Sequence, residues 1–456
     1  MNKIKQSLPL SLLPTIIALA WPTMLEQVLN TAVQYVDIAM VGSLGTMATA
    51  AVGSTTTVNW LVGSTISALG IGFLSFIAKS IGADDINRAR RAAGQAVFIV
   101  ITSGLAFTAI TLSLSRAVPV LMRVDEAIRP MAFQYFFILY SPMLFRTANI
   151  IFSMLLRAAG DTRTPMRIGL GVNILNIVLN FLLIYPTREV EIFGIEFTMI
   201  GANLGVRGAA LASAAAVTIG GCAVSLALLR HKRISPLGCS FLPDREILLP
   251  CLRVAAPNML QRFGTSLGYV VFASMINSIG EAAVAAHTVA NTIEAAFYIP
   301  AYGMQTAAAT LAGNAAGAKD KKLFADVRRM LLPIEILLMC LSGGLLFCFA
   351  PMLVGFFTKS DEVMQLGITV LRMVALSEPF YGVAIILEGM LQGIGNTRRP
   401  FVFNIIGMWG VRILGTFICT VILGLGLVSA WGCMILHNLL LFILFCATAK
   451  NSGREL

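Results

Sequence analysis

The stretch Trp21–Gly45, WPTMLEQVLNTAVQYVDIAMVGSLG, is apolar enough to cross a membrane and yet carries Glu26, Asn30, Gln34 and Asp37. At 100° per residue, Glu26, Asn30 and Asp37 fall within about 40° of one another on a helix. Gln34 lies beside them. A carboxylate at bilayer depth costs roughly 2.5–3.5 kcal/mol on insertion scales, and such groups usually face a cavity or pathway. Asp37 is therefore predicted to bind a proton or a cation, and the alternative is that it lies near the aqueous end of its helix.

Composition places the whole chain in a membrane. Of its 456 residues, 57% are hydrophobic and only 12% are charged, whereas about 25% are charged in a soluble globular chain. The apolar runs lack the sustained alternation of barrel strands, so we expect an all-α integral membrane protein. About twelve spans are predicted from run length, near residues 11–41, 48–78, 93–117, 127–156, 165–186, 203–229, 248–278, 284–315, 328–356, 363–392, 400–423 and 427–449.

The first residues and the cysteines exclude some alternatives. MNKIKQSLPL begins as a signal peptide would, but the apolar stretch after it carries two acids and has no clear cleavage site, so a retained first span is expected. The eight cysteines all lie in the second half and form no CxxC pair. Neither a metal site nor a disulfide framework is predicted, and no cofactor is expected.

The net charge of +11 is distributed along the chain in a way that indicates topology. Most Lys and Arg residues follow the second, fourth, sixth, eighth and tenth predicted spans or lie at the termini, for example Arg88, Arg163, Arg233, Lys321 and Arg398. By the positive-inside rule, these loops and both termini face the cytoplasm of a cell (inner or plasma) membrane. No nucleic-acid partner is predicted, and a monomer in the lipid bilayer is expected.

The sequence also contains an internal repeat. PTMLEQ at Pro22 matches PNMLQR at Pro257, an offset of 235 residues, and GDTRTP at Gly160 matches GNTRRP at Gly395 at the same offset. Six spans per half is an even number, so the repeat is parallel, as in transporters that rock two lobes about a central cavity. We expect an N-terminal six-helix lobe at 1–230, a cytoplasmic linker at 231–247 and a C-terminal six-helix lobe at 248–456.

The two copies differ where ion coupling would occur. At the repeat offset, Asp37 corresponds to Phe272, and Glu26 corresponds to Gln261. A packing device would be expected in both copies. The loss of the acids from the second copy indicates that ion coupling resides in the first lobe.

With these features, the chain resembles the multidrug and toxic compound extrusion (MATE) family, in its DinF-like bacterial type. The resemblance rests on the acid-bearing first helix followed by VGSLG, on the GDTRTP and GNTRRP loops, and on NIVLNFLLIY followed by VRGAALAS. It implies a first-lobe ion site that includes Asp37, Asn176 and Ser213. Asn180 stands where many members have a second Asp, which leaves Asp37 as the only acid of the group, and Tyr381 stands where other branches have an acid.

Asn173, Asn176 and Asn180 share one face of the fifth predicted span, at spacings i, i+3 and i+7. One interpretation is polar contact between packed helices, worth about 0.6 kcal/mol per hydrogen bond. The other is that their oxygens join Asp37 and Ser213 in a cage for Na⁺. Proton coupling needs only Asp37, and the sequence does not choose between the ions.

Further candidates are polar residues in apolar runs. His287, Asn291 and Glu294 are spaced i, i+4 and i+7 on the eighth span and, like Glu388, could meet a cationic substrate. Guanidinium groups in the spans, such as that of Arg412, are mostly expected to extend to the interface. The full set of cavity or substrate candidates is Glu26, Asn30, Gln34, Asn149, Asn173, His287, Asn291, Glu294, Tyr381 and Glu388, and the hinge candidates are Pro22 and Pro257.

We therefore predict a secondary active antiporter that exports amphipathic, cationic organic compounds in exchange for H⁺ or Na⁺ by alternating access. The alternative is a flippase for a lipid-linked or polyisoprenoid substrate, and a passive channel fits the one-sided acid less well. An enzyme is not predicted, because the sequence has no HExxH motif, no GxxxxGK[ST] loop and no Cys/His cluster.

Overall fold

A computed structural model describes residues 10–122, 124–192 and 195–452 of the chain. The predictions that concern the first nine residues, including the positively charged Lys3 and Lys5, lie outside these described residues, as does the end of the C-terminus.

The first half begins with a short 3₁₀ turn at Leu10–Leu12 and is otherwise mainly helical. Its elements are α1 Leu13–Gly42, α2 Thr46–Gly53, α3 Thr56–Gly82, α4 Ile86–Leu114, α5 Ala117–Leu121, α6 Arg129–Tyr140, α7 Met143–Ala158, α8 Arg163–Ile184, β1 Pro186–Ile192, β2 Ile195–Ala202 and α9 Gly205–Arg230.

The second half is helical throughout its described elements. These are α10 Arg245–Asn277, α11 Glu281–Gly317, α12 Lys321–Phe357, α13 Asp361–Ala375, α14 Glu378–Gly393, α15 Arg398–Ile405, a π-helical segment Ile406–Ile413, α16 Leu414–Thr416, a second π-helical segment Phe417–Ile422 and α17 Leu427–Ser452.

The repeat seen in the sequence sets the ends of the helices. α1 ends at Gly42 and α10 at Asn277, and α3 ends at Gly82 and α11 at Gly317, both at the repeat offset of 235 residues. The same offset relates the starts of α7 and α14, the ends of α7 and α14, and the starts of α8 and α15. The positive φ angles of Gly160 (87°) and Gly395 (77°) fall at matching turns. Because only glycine adopts this conformation without strain, both copies keep it.

Span lengths agree with the predicted membrane protein. Eight described helices are long and apolar enough to cross a membrane, and two bent pairs raise the count to as many as ten. α10 and α11, with 33 and 37 residues, are also long enough but carry more polar side chains. Each of the twelve predicted spans therefore corresponds to a described helix, a bent pair or, near 400–423, a mixed α and π segment.

Three features differ from the prediction. The spans near 127–156 and 363–392 are each broken, with bends of 50° between α6 and α7 and 53° between α13 and α14. Pro142 lies in the short connection before α7, and Pro379 lies in the first turn of α14, where a missing backbone N–H costs least. β1 and β2 form an antiparallel hairpin in a stretch that was expected to be a loop. The π-helical segments in the eleventh span have no sequence signal that we identified.

The chain folds into two compact units, each with its own core. Unit 1 comprises Met1–Gln27, Leu74–Asp85 and Leu249–Leu456, and unit 2 comprises Val28–Phe73 and Ile86–Leu248. The predicted lobe boundaries at 1–230, 231–247 and 248–456 remain predictions.

Unit 1 is held together by apolar clusters and by close helix packing. One cluster joins α1, α11, α12, α14 and α17 through residues such as Ile16, Met304 and Phe445. Thr23 Oγ1 donates to the Gly303 carbonyl at 2.8 Å, which fixes α1 against α11. Pro22 and Pro257 both lie inside continuous helices. Their role as hinges remains a prediction.

In unit 2, the segment between α9 and α10 is attached to α4. Arg91 Nη2 lies 2.5 Å from Asp244 Oδ2, and Gln95 donates to the Leu242 carbonyl at 2.7 Å while accepting from Asp244 N at 2.9 Å. The Arg91 hydrogen bond holds the pKa of Asp244 below its ordinary value of 3.8. Asp244 also accepts from the backbone N–H of Glu246 at the start of α10, so one carboxylate ties the segment to two helices.

Candidate functional site

Asp37 lies at the centre of a polar cluster formed by α1, α8 and α9 in unit 2. Asn180 Nδ2 donates to Asp37 Oδ1 at 2.6 Å. Asn176 is one turn earlier on α8, with its amide 3.2 Å from Asn180 Nδ2 and 3.1 Å from Ser213 Oγ. The four residues of the predicted ion-coupling set are therefore within one hydrogen-bonded group.

The amide of Asn176 can meet the acid in two ways. With its nitrogen toward Asp37 it donates to Oδ1 at 2.8 Å and to Oδ2 at 3.3 Å, and its oxygen accepts from Ser213. With its oxygen toward Asp37 it accepts from Asn180 and donates to Ser213. The 2.8 Å contact with Asp37 then joins two oxygens and requires a proton on the acid. The first arrangement suits a carboxylate and the second suits a carboxylic acid.

Burial differs across the cluster. Asn180 and Asn176 are only 1% and 7% exposed, whereas Asp37 and Ser213 are half-buried. The buried Oδ1 of Asn180 has no hydrogen-bond partner among the described residues. Carboxylate, amide and hydroxyl oxygens are the ligands of a hard cation, so the cluster could bind a monovalent cation or a proton. The part of the chain that the structure describes contains no group of three or more His, Cys, Asp or Glu residues that could hold a metal ion.

Two of the predicted cavity residues form a second polar contact beside this cluster. Asn173 Nδ2 donates to Asn30 Oδ1 at 2.9 Å. Asn173 lies one turn from Asn176 on α8, and Asn30 lies two turns from Asp37 on α1. Gln34, which was predicted on the same face of α1, is exposed, and Glu26 is half-buried. Asn149 of α7 is half-buried and packs against α9. A Cβ added at Gly220 of α9 would lie 3.5 Å from Asn149 Nδ2.

In unit 1, the carboxylate of Glu388 is held by amides from three helices. Its Oε1 accepts from Gln261 at 2.8 Å and from Gln392 at 3.0 Å, and its Oε2 accepts from Asn404 at a longer 3.4 Å. The donors come from α10, α14 and α15. Amides at hydrogen-bond distance stabilise the ionised form, so Glu388 has its partners within the protein.

The predicted polar stripe on α11 does not act as one group. The ring of His287 packs edge-on to Phe272 and Trp431, at centroid distances of 5.6 and 5.8 Å. Asn291 is exposed, while Glu294 is buried at 5% exposure. The three residues therefore lie in three different environments.

Arg412 contradicts the expectation that the guanidinium groups in the spans extend to the interface. It is 4% exposed, and its Cζ lies 4.3 Å from the ring centre of Phe272 and 4.9 Å from that of Tyr269. Cation–π contact with two rings replaces part of the hydration that a buried guanidinium loses. Tyr381 is 3.0 Å from Tyr302 through the two hydroxyl groups, and is half-buried.

Two buried acids are not among the candidate residues predicted from the sequence. Glu335 on α12 is 0% exposed and Glu378 at the start of α14 is 1% exposed. The available signal was a carboxylate inside each predicted span, at 328–356 and at 363–392. Nothing in the sequence separated these acids from carboxylates at the ends of helices.

Helices of membrane-spanning length, arranged in two halves with matching helix ends, are typical of a helical membrane transporter fold. The MatE family model matches residues 22–182 and 257–418. The chain therefore belongs to the MatE family, and the two matched ranges begin at Pro22 and Pro257, the prolines that revealed the repeat.

Individual relatives agree with this assignment. The chain is 28% identical to a probable multidrug resistance protein NorM of Thermotoga maritima, over 95% of this chain and 90% of that one. It is 26% identical to the probable multidrug resistance protein YpnP of Bacillus subtilis, over 88% of this chain and 87% of that one. The DinF-like subtype predicted from the sequence remains a prediction.

Solved structures share the fold. A multidrug resistance MATE family transporter of the MOP superfamily in an outward-facing conformation superposes with a TM-score of 0.89 at 24% identity, covering 97% of this chain and 96% of that one. A MATE crystal structure in complex with MaD3S gives a TM-score of 0.89 at 23% identity, with coverage of 97% and 96%. These similarities confirm the all-α fold with twelve membrane helices in two similar halves.

Proposed function

We propose that this protein is a secondary active multidrug efflux antiporter that exchanges amphipathic, cationic organic compounds for H⁺ or Na⁺. Membership of the MatE family and the multidrug resistance proteins among its relatives support the class of substrate. The observation that carries the proposal is the position of Asp37, an acid in a membrane helix whose carboxyl contacts two amides of α8.

The cluster around Asp37 provides a way to couple an ion to transport. A proton on Asp37, or a cation beside it, removes the charge that the amides of Asn176 and Asn180 stabilise. The side-chain amide of Asn176 then turns its oxygen toward the acid, and Ser213 changes from a hydrogen-bond donor to a hydrogen-bond acceptor. Ion occupancy thereby changes the bonding between α1, α8 and α9. Each charge entering down a potential of 100 mV supplies about 2.3 kcal/mol, which is the energy available to bias two transporter conformations.

The ion and the role of Asp37 are tested together in proteoliposomes that contain the purified full chain. Efflux of a fluorescent organic cation is measured with an imposed pH gradient and, separately, with an imposed Na⁺ gradient. We expect one of the gradients to drive efflux and Asp37→Asn to abolish it while membrane insertion is retained. Glu126→Gln is the matched control, because this side chain is 86% exposed and bonds only Arg129 in its own turn.

Two results would contradict the proposal. Gradient-driven efflux at the wild-type rate from the Asp37→Asn variant would remove Asp37 from coupling. Efflux that needs neither gradient would indicate a passive pathway instead of an antiporter.

The charge distribution further supports cytoplasmic termini and linker 231–247 in a monomer in the cell membrane. Labelling of single cysteines introduced at 240 and at 188, in a variant without the native cysteines, tests the orientation. We expect position 240 to be protected from an impermeant reagent applied to intact cells and position 188 to be labelled. The reverse pattern would invert the topology.

A further inference from the structure

Two buried acids that the site above does not use, Glu335 of α12 and Glu378 of α14, lie on facing helices of unit 1. Glu335 lies two residues after Pro333, a proline inside α12. Glu378 lies at the first position of α14, directly after the 53° bend that separates this helix from α13. Glu335 therefore follows a proline within a continuous helix, and Glu378 follows the break between two helices.

Each acid packs against a glycine of the helix that carries the other. A Cβ added at Gly382 of α14 would lie 2.8 Å from Glu335 Oε1, and one added at Gly343 of α12 would lie 3.4 Å from the Glu378 Cβ. Any larger residue at Gly382 would displace the Glu335 carboxyl. The glycine of each helix thus leaves space for the acid of the other helix, as expected of a binding site.

Three of the four carboxyl oxygens lack a partner that could stabilise a charge, among the residues that the structure describes. Both oxygens of Glu335 and Oε2 of Glu378 are buried without a hydrogen-bond partner among the described residues. The salt bridges found in that part of the chain do not include either acid. A buried carboxylate without a donor or a cation is strongly disfavoured, whereas the neutral acid is tolerated.

In the part of the chain that the structure describes, no cation forms an ion pair with either acid, and the buried Arg412 interacts with the neighbouring Glu294 instead. α11 contributes Glu294, whose charge opposes that of Glu378, and the hydroxyl group of Tyr298. α13 contributes Arg372, with its guanidinium over Phe347 at 5.3 Å. α17 contributes His437, which packs against Gly407 of the π-helical segment.

We infer that Glu335 and Glu378 form a proton-binding site in unit 1, separate from the cluster around Asp37. The ligand is the proton itself, because a buried carboxyl group without a donor or a cation is tolerated only in its neutral form. The two acids keep their protons while buried and lose them when movement at the α13–α14 bend opens the carboxyls to water. Use of these protons in transport rests on the proposed function, but their binding does not.

Infrared spectroscopy of the purified full chain in lipid bilayers tests the binding directly, because the C=O stretch of a protonated carboxyl group is distinct from that of a carboxylate. At neutral pH we expect this band to lose intensity in Glu335→Gln and in Glu378→Gln, and to lose more in the double variant. Glu126→Gln should leave it unchanged. A double variant with the band intensity of the wild type would overturn the inference.

A second comparison covers the case in which the glutamine variants do not fold. Gly382→Ala keeps both acids but moves the Glu335 carboxyl, so we expect the band to shift, while Gly344→Ala, which meets no atom within 4 Å, leaves it in place. A wild-type protein without a protonated-carboxyl band at neutral pH, or an unshifted band in Gly382→Ala, would contradict the site.

A transport measurement distinguishes a role of these two acids in coupling from the proposed role of Asp37. The number of protons exchanged per exported molecule is measured in proteoliposomes. We expect a loss of exchanged protons in the Glu335→Gln, Glu378→Gln double variant, with efflux retained, whereas Asp37→Asn abolishes efflux. An unchanged proton count in the double variant would exclude these acids from coupling. If wild-type efflux proves to be Na⁺-driven, the infrared band alone decides whether the site binds protons.

Discussion

Asn180 Nδ2 donates a hydrogen bond to Asp37 Oδ1 at 2.6 Å, linking α8 to α1 inside unit 2. When Asp37 is ionised this is a charge-assisted hydrogen bond, and such bonds are about twice as strong as neutral ones. Asn180 is 1% exposed, so water does not replace it as a donor. The asparagine at this position therefore holds the carboxylate of Asp37 in a fixed direction.

Replacing Asn180 by Leu should impair coupled efflux. The change removes a hydrogen bond to a charged group, worth about 1.5–3 kcal/mol, and leaves Asp37 with only the Asn176 amide. We expect efflux from proteoliposomes at a fixed gradient to fall by about tenfold or more, since about 1.4 kcal/mol corresponds to a factor of ten. Asn173→Leu, which removes only the contact with Asn30, should have a smaller effect. Equal rates in the two variants would show that the amide of Asn180 is not part of coupling.

Glu388→Gln should destabilise the protein rather than weaken substrate binding. The carboxylate accepts hydrogen bonds from Gln261, Gln392 and Asn404, and a glutamine would turn an N–H group toward one of these donors. Loss of a hydrogen bond to a charged group costs about 1.5–3 kcal/mol, so the thermal unfolding midpoint in detergent should fall.

The exposed Glu362 on α13 offers the matched control, as Glu362→Gln. If Glu388 instead contacts the substrate directly, the Glu388→Gln variant would show an unchanged unfolding midpoint together with a weaker substrate affinity. That result would restore Glu388 as a substrate-binding residue.

The sequence was sufficient for the twelve spans and for the grouping of Asp37 with Asn176 and Asn180, because both depend on regularities visible in one dimension. The repeat offset relates Pro22 to Pro257, and the helical spacing of Asn176 and Asn180 places them on one face of α8. These signals need no knowledge of neighbouring helices.

Other features depend on contacts that the sequence does not display. Glu335 and Glu378 are buried because Gly382 and Gly343 lie opposite them on another helix. Arg412 is buried because two aromatic rings of α10 cover its guanidinium group. A charged residue in an apolar run is compatible with burial, with a helix end or with extension to the interface, and only packing distinguishes these cases.

Stability should depend on pH through Asp244, outside the membrane spans. The hydrogen bond from Arg91 lowers the pKa of Asp244 from 3.8 in the folded protein. Because the folded pKa is depressed, the stabilisation is fully present above the unfolded pKa and is lost as the pH falls through the folded pKa. Asp244→Asn keeps an oxygen for the N–H of Glu246 but removes the charge.

Limited proteolysis within the segment 231–247 measures this contribution. At neutral pH we expect faster cleavage in Asp244→Asn than in the wild type; the difference should begin to shrink below the ordinary pKa of 3.8 and disappear once the pH has fallen through the lower folded pKa. Glu246→Gln is the control, since this carboxylate is 86% exposed and lies 4.0 Å from Arg91. A difference that persists unchanged in acid would mean that the ion pair does not anchor the segment.

In unit 1, α11 approaches α1 closely at Gly303. A Cβ added at Gly303 would lie 2.5 Å from both the backbone nitrogen and the Cα of Met24. The obstacle is backbone, which cannot rotate away as a side chain can, so Gly303→Ala must separate the two helices and weaken the hydrogen bond from Thr23 to the Gly303 carbonyl. Overpacking of this kind costs about 1–3 kcal/mol, and we expect a lower unfolding midpoint in detergent. Gly344→Ala on α12 meets nothing within 4 Å and should be neutral, or stabilising by up to about 1 kcal/mol through helix propensity. Equal midpoints in the two variants would show that α1 and α11 do not need this contact to pack.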